Sequence, residues 1–144
     1  MGRKSSRRHA FSIVYQIPFY KDCFDAQAVA EEYIASEGIL SKDVEFIHEL
    51  VDGVSTHMPE IDKLISEYAG WGFDRIATVD LAILRIAIFE IVYAGDTPVS
   101  VVINEAVELA KVYGTDDSST FVNGLLARVV KDTKVSACVI ETGK

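Results

Sequence analysis

Cysteine is nearly absent from this chain. Cys23 and Cys138 stand alone, 115 positions apart and without metal-ligand spacing. That excludes a disulfide scaffold, a CxxC redox centre and a cysteine zinc site, and free thiols suit a cytoplasmic protein. Histidine is scarce too. His9, His48 and His57 form no HExxH or related pattern, so no metal site is expected. No glycines fall as GxxxxGK, no GxSxG is present, and no Cys–His pair has a third member. The chain therefore reads as a protein that binds rather than catalyses, with no cofactor. Long apolar runs are missing as well. The most apolar stretch, residues 79–93, is interrupted by Asp80, Arg85 and Glu90 and falls short of the roughly 20 residues a bilayer span needs. No apolar run follows the charged N-terminus, so no signal peptide is read and no membrane association is expected. Three prolines and nine glycines in 144 residues exclude a low-complexity chain.

What is present is a large apolar fraction, 49%, enough to fill the core of one compact domain. The net charge of −8 opposes nucleic-acid binding by bulk electrostatics. Its distribution reverses part of that argument. Arg3, Lys4, Arg7 and Arg8 crowd the first nine residues without an acid, leaving 10 basic and 22 acidic residues in the remainder, a net of −12. A basic arm on an acidic body can still dock locally on phosphates.

The chain is organised around Thr78–Tyr93, TVDLAILRIAIFEIVY, whose apolar residues point almost all round a helix. An outer helix would show one apolar stripe, so this one is expected at the centre, with Thr78 as N-cap and Gly95 as its stop. Before it, the periodicity predicts a first helix from Ser5 or Ser6 to about Ile17, with Ala10, Ile13, Val14 and Ile17 inward and Phe11 and Tyr15 on a second face. Pro18 ends or kinks it. A second helix is predicted from about Asp25 to Glu37, capped by Gly38, and a third after Ser41 with a stripe of Val44, Ile47, Val51 and Val54. Met58-Pro59 is expected to break that helix, with a short fourth beginning at the proline. Ala69-Gly70-Trp71-Gly72 is the expected boundary between two halves. After the central helix, Ser100–Tyr113 and Ser118–Lys131 read as two more helices. Gly124 within the last suggests close approach of another backbone. No stretch alternates as a strand. The fold class is all-α, about seven helices, with a weakly attached, mobile tail over residues 132–144.

A few polar residues ask for a role. Arg7 and Arg8 sit in a helix first turn, against the macrodipole, which suggests that they serve a partner. Asn104 and Asn123 interrupt apolar helices and read as buried amides bonded to a loop. Asp116-Asp117 reads first as a helix cap, or as acceptors for base amino groups.

ILRIAIFE in the central helix, followed by DTPVSVVINEAVELAKVYG and DDSSTFVNGLL, resembles the NusB family of transcription antitermination factors. RRHAFSIVYQ resembles the family's first helix at Arg7, Ala10, Tyr15 and Gln16, and EIDKLI and WGFDRI fit its middle. The resemblance covers about residues 5–131, in order. It implies a single NusB-like domain over residues 1–144, built as two packed helical bundles, about residues 5–69 and 70–131. It also implies activity without catalysis. The family pairs with the tenth small-subunit ribosomal protein, NusE, and the pair binds boxA, a short single-stranded RNA element. With other Nus factors it holds RNA polymerase in a termination-resistant state, notably on ribosomal RNA operons. Some members also self-associate as homodimers through the partner surface.

Carried onto this sequence, the resemblance gives RNA-binding candidates at Arg3, Lys4, Arg7, Arg8, Gln16, Asp74, Tyr113, Asp117 and Phe121. The arginines and lysine would contact phosphates. Tyr113 and Phe121 would offer ring faces for bases, and Asp74 and Asp117 would accept base amino hydrogens. Tyr15 and Asp80 match positions used against the ribosomal partner; Asp80 is expected to reach a surface. Ser119 and Thr120 stand where the family often carries a basic residue, a departure that removes the cation for a phosphate contact at that loop. The competing readings are the RNA-binding domain of a ribosomal RNA methyltransferase, which would need a downstream S-adenosylmethionine domain, and a helical protein-interaction module without RNA.

Overall fold

The computed structural model describes residues 2–20, 25–39, 41–70 and 72–132; the side chains of Arg3, Ser41 and Asp132 fall outside that description. Cys23, Trp71, Cys138 and the expected tail from residue 133 onward also lie outside the described residues. Every regular element within them is helical: α1 (Gly2–Val14), α2 (Ile17–Tyr20), α3 (Ala26–Glu37), α4 (Ser41–Ala69), α5 (Thr78–Ile88), α6 (Val99–Tyr113) and α7 (Ser118–Asp132). A 3-10 turn, Phe73–Arg75, precedes α5, and a π-helical turn, Phe89–Ala94, continues it. The all-α reading holds, with six main helices and the single turn α2 where about seven helices were expected.

The largest departure is α4. It runs unbroken for 29 residues with Pro59 inside. Proline removes one backbone donor and crowds the carbonyl four residues back. The helix survives because its apolar stripe keeps phase through the proline: Ile47, Val51, Val54, Ile61 and Ile65 are all fully buried. Pro59 itself lies on the exposed side. Tertiary burial of both halves of the stripe outweighs the local defect.

The central stretch is buried as expected. Every residue from Asp80 to Ile91 is inaccessible or nearly so. Its details differ. Ala77, not Thr78, is the N-cap, and it supplies no side-chain cap bond. The α-helix gives way at Phe89 to the wider π turn, closed where the Gly95 N–H donates to the Glu90 carbonyl at 3.0 Å. Gly95 holds a left-handed φ of 68° and stops the helix, as expected. The π turn lies tight against α4 at Gly53, where an added Cβ would overlap the edge of the Phe89 ring. Gly53 is thus the notch that admits Phe89. Gly124 has no such role, since a Cβ there would meet nothing within 4 Å.

Bonds at the other helix ends are local. Asp25 Oδ1 accepts the Ala28 N–H at 3.1 Å at the start of α3. Ser118 Oγ, on the first residue of α7, accepts the N–H of Thr115 at 2.9 Å and so ties down the preceding turn without capping the helix. α1 begins earlier than expected, at Gly2, and ends at Val14 before the turn leading to Pro18.

One connected set of buried side chains draws on α1, α3, α4, α5, α6 and α7. Three arginines then pin helices together across it. Arg7 of α1 grips Glu90 in the π turn, Arg85 of α5 forms a two-pronged pair with Asp62 of α4 at 2.9 Å on each prong, and Arg128 of α7 donates to the Tyr68 carbonyl at 2.8 Å.

Candidate nucleic-acid interface

Lys4, Arg8, Phe11 and Tyr15 fall at i, i+4, i+7 and i+11 and share one face of α1. The opposite side carries Ala10, Ile13 and Val14 into the core. This single stripe is cationic at its N-terminal end and aromatic from Phe11 onward. The aromatic run is longer than the helix. Tyr113, at the C-terminus of α6, lies 5.0 Å from Phe11 between ring centroids. Phe11 to Tyr15 is 6.1 Å, and Tyr15 to Phe19 of α2 is 5.6 Å. Four rings therefore succeed one another across three helices, at spacings where aromatic pairs attract. Phe11 is buried, Tyr15 half-buried, Tyr113 41% exposed and Phe19 65% exposed. Phe11, Ser12, Tyr15, Val79 and Tyr113 line a cavity of about 320 Å³ at the surface of this run.

The charged end faces α6. Lys4 Nζ lies 3.9 Å from Glu105 and remains largely exposed, so the pair contributes little to stability. Arg8 is exposed, and its backbone carbonyl accepts from Ser12 Oγ at 3.3 Å. Glu105 and Glu108 line the same narrow cleft as Lys4 and Arg8. An approaching phosphate would compete with these carboxylates for the two cations.

Arg7 is the clear correction. It is 5% exposed, and its guanidinium is committed to Glu90: Nε donates to Oε2 at 2.7 Å and Nη2 to Oε1 at 2.8 Å, with Thr97 Oγ1 at 3.4 Å. The cation also lies over the Phe46 ring, 5.5 Å from its centroid. Burial alone would lower the pKa of this group; the Glu90 hydrogen bond and charge outweigh it and hold the guanidinium above its ordinary value. In this arrangement Arg7 anchors α1 through Nε and Nη2, while its side chain still lines the cleft of Lys4 and Arg8.

Asp80 is the second correction. It is only 8% exposed, and its Oδ1 is buried with no hydrogen-bond partner among the described residues. It sits in the first turn of α5, directly after Val79 of the aromatic cavity. Of the other candidates, Gln16 bonds back to the Ser12 carbonyl at 3.3 Å. Asp74, in the 3-10 turn, and Asp117, before α7, are exposed, with no side-chain hydrogen bond among the described residues. Phe121 is half-buried, while Val122, Leu125, Leu126 and Val129 form the inner face of α7. The Arg3 side chain lies outside the described residues. Asn104 and Asn123, expected inside, are exposed.

The structure thus gathers Lys4, Arg8, Tyr15 and Tyr113, and adds Phe11 and Phe19, which were not singled out as site residues. The i, i+4 spacing of Phe11 and Tyr15 was the available signal for the first. Among the described residues no three His, Cys, Asp or Glu side chains cluster to hold a metal, and no helix is long and apolar enough to cross a membrane.

A family model described as the NusB family matches residues 4–131. The chain belongs to the NusB family. A transcription antitermination protein NusB of Ruminiclostridium cellulolyticum is 44% identical over 132 residues, covering 91% of this chain and 90% of the relative. That of Acetivibrio thermocellus is 44% identical over 140 residues, covering 95% and 94%. Among solved structures, NusB from T. maritima superposes with a TM-score of 0.88 at 34% identity, covering 98% of both chains. A crystal structure of the antitermination factors NusB and NusE in complex with double-stranded RNA matches with a TM-score of 0.82 at 26% identity, covering 91% of this chain and 97% of the other.

Proposed function

We infer that this chain is a transcription antitermination factor that binds boxA-type single-stranded RNA together with the ribosomal protein NusE, in the cytoplasm, promoting processive transcription of ribosomal RNA operons. The observation that carries the reading is the single face of α1, with Lys4 and Arg8 at one end and the ring series Tyr113–Phe11–Tyr15–Phe19 at the other. Single-stranded RNA is held by phosphate contacts and by bases stacked on aromatic side chains. Exposed carboxylates at Asp74 and Asp117 supply acceptors for base amino groups. Two exposed cations that share their cleft with Glu105 and Glu108, on a chain of net charge −8, give weak RNA binding alone. A basic partner seated by Tyr15 and Asp80 adds contact area and positive charge, so RNA is bound by the pair. Other Nus factors and RNA polymerase engage through that assembly.

Filter binding with labelled boxA-type RNA tests this directly. Retention is expected to be weak with this chain alone and to rise at least tenfold in affinity when the ribosomal protein is added. Equal retention with and without the partner, or none in either case, overturns the reading.

A further inference from the structure

Asn104 and Asn123 stand out in the sequence as amides without a role, and the fold brings them together. They line one open groove between α6 and α7, about 590 Å³ in volume, together with Ser100, Ser119 and Thr120. The apolar part of the lining is Ile103 and Val107. No charged side chain lines it, although a quarter of the whole chain is charged. None of its five polar side chains makes a hydrogen bond to another described residue. The groove is therefore a concave surface with an apolar portion and a set of unused donors and acceptors.

We propose that this groove is a subsite for one unpaired adenine of the bound RNA, read by the carboxamides of Asn104 and Asn123 with Ile103 and Val107 against the face of the base. The inference rests on the RNA-binding reading above and adds a specificity-determining pair to it. Three arguments support it. A carboxamide carries a donor and an acceptor side by side, the complement of the adenine N6 and N7 edge. A neutral lining, on an otherwise acidic body, does not itself repel a polyanion. Thr120 of the groove immediately precedes Phe121 in α7, so the groove adjoins a residue expected to offer a ring face to a base. A protein partner is a poorer fit. Protein interfaces are anchored by large aromatic or arginine side chains, and this groove has none, whereas the α1 face has several.

The test uses the complex of this chain with the ribosomal protein and boxA-type RNA in which each adenine in turn is replaced by 7-deazaadenine, which lacks N7. In the wild type, one replacement is expected to weaken binding about tenfold, the scale of a lost bidentate base contact. The Asn104→Ala, Asn123→Ala double variant is expected to bind the unmodified RNA about tenfold more weakly and to lose nothing further on that same replacement. Alanine is a better helix former than asparagine at exposed positions, so unfolding does not mimic the effect. Wild-type RNA affinity in the double variant overturns the proposal. So does a variant that loses affinity for the ribosomal protein without RNA, which would make the groove a protein contact. Absence of RNA binding by the wild-type complex would instead overturn the broader reading.

Discussion

Arg7→Met should unfold this protein more readily while leaving its salt-dependent RNA contacts in place. The Arg7 guanidinium and Glu90 carboxylate form a two-pronged pair whose side chains are 6% and 3% exposed. Removing one member strands the other as a buried charge, at a penalty of about 3–5 kcal/mol. Methionine keeps most of the stem volume, so packing over Phe46 changes little. Against a total stability of about 5–15 kcal/mol, the loss is large. At about 2–4 °C per kcal/mol for a chain of this size, the melting temperature should fall by about 6–20 °C. Urea unfolding followed by helical circular dichroism measures it. The decisive comparison is Arg7→Met with Glu90→Met, which removes both charges and should recover most of the stability, because a buried pair is worth little against apolar residues of similar volume. A loss below about 1 kcal/mol for Arg7→Met, or a double variant as unstable as the single, would refute the buried-pair account and return Arg7 to the surface.

Arg8→Ala should lower RNA affinity in the partner complex similarly across sequences and reduce the salt slope by about one phosphate contact; an unchanged slope would make Arg8 a solubilising charge. Gly53→Ala should destabilise by about 1–3 kcal/mol despite a gain in helix propensity, because its Cβ would overlap the Phe89 ring, and Phe89→Leu in that background should recover part of the loss. A stabilised Gly53→Ala would mean that the π turn lies farther from α4. Burial raises the Tyr33 phenol above its usual value of 10.0. The neutral form is favoured by folding, so that contribution is fully present below pH 10 or so and is lost as pH rises through the higher folded value. Urea midpoints should therefore fall in alkali, and fall less steeply in Tyr33→Phe.

What the sequence conveys and what it hides follow from the range of each interaction. The Gly38 cap of α3 acts within one turn and is legible in the sequence. The burial of residues 80–91 was legible because periodicity records it directly. At Pro59 the local rule predicts a break, but the apolar stripe decides, since Val54, Ile61 and Ile65 keep phase across it. Arg7 lies three and seven residues before Ala10 and Val14, in step with the buried stripe of α1, and that phase was the sign of an inward side chain. Its partner stands 83 residues away, beyond any local pattern. One inference was nevertheless open: Arg85 and Glu90 sit inside a buried helix and require opposite charges from elsewhere. At the binding face, the α1 stripe could be read from spacing. The contact of Tyr113 with Phe11 depends on how α6 crosses α1, and no spacing encodes that.

Asp80 turns the same logic toward the partner. Three charged residues interrupt the central stretch, and the fold answers two of them, Arg85 with Asp62 and Glu90 with Arg7. Asp80 Oδ1 has no donor among the described residues, and the helix N-terminus offsets only about 0.3–1 kcal/mol of the penalty. An unsatisfied buried acceptor costs about 1–3 kcal/mol, more when charged, so the free chain carries a defect beside the aromatic cavity. A donor from NusE would remove it on binding. Asp80→Ala should then leave the free chain as stable as the wild type, or raise its melting temperature by a few degrees, while lowering affinity for the ribosomal protein about tenfold or more. Calorimetric titration and thermal unfolding of the one variant give both quantities. A destabilised Asp80→Ala that binds the partner normally would show that the carboxylate answers a donor within its own fold, and that the partner face lies farther along the ring series toward Phe19.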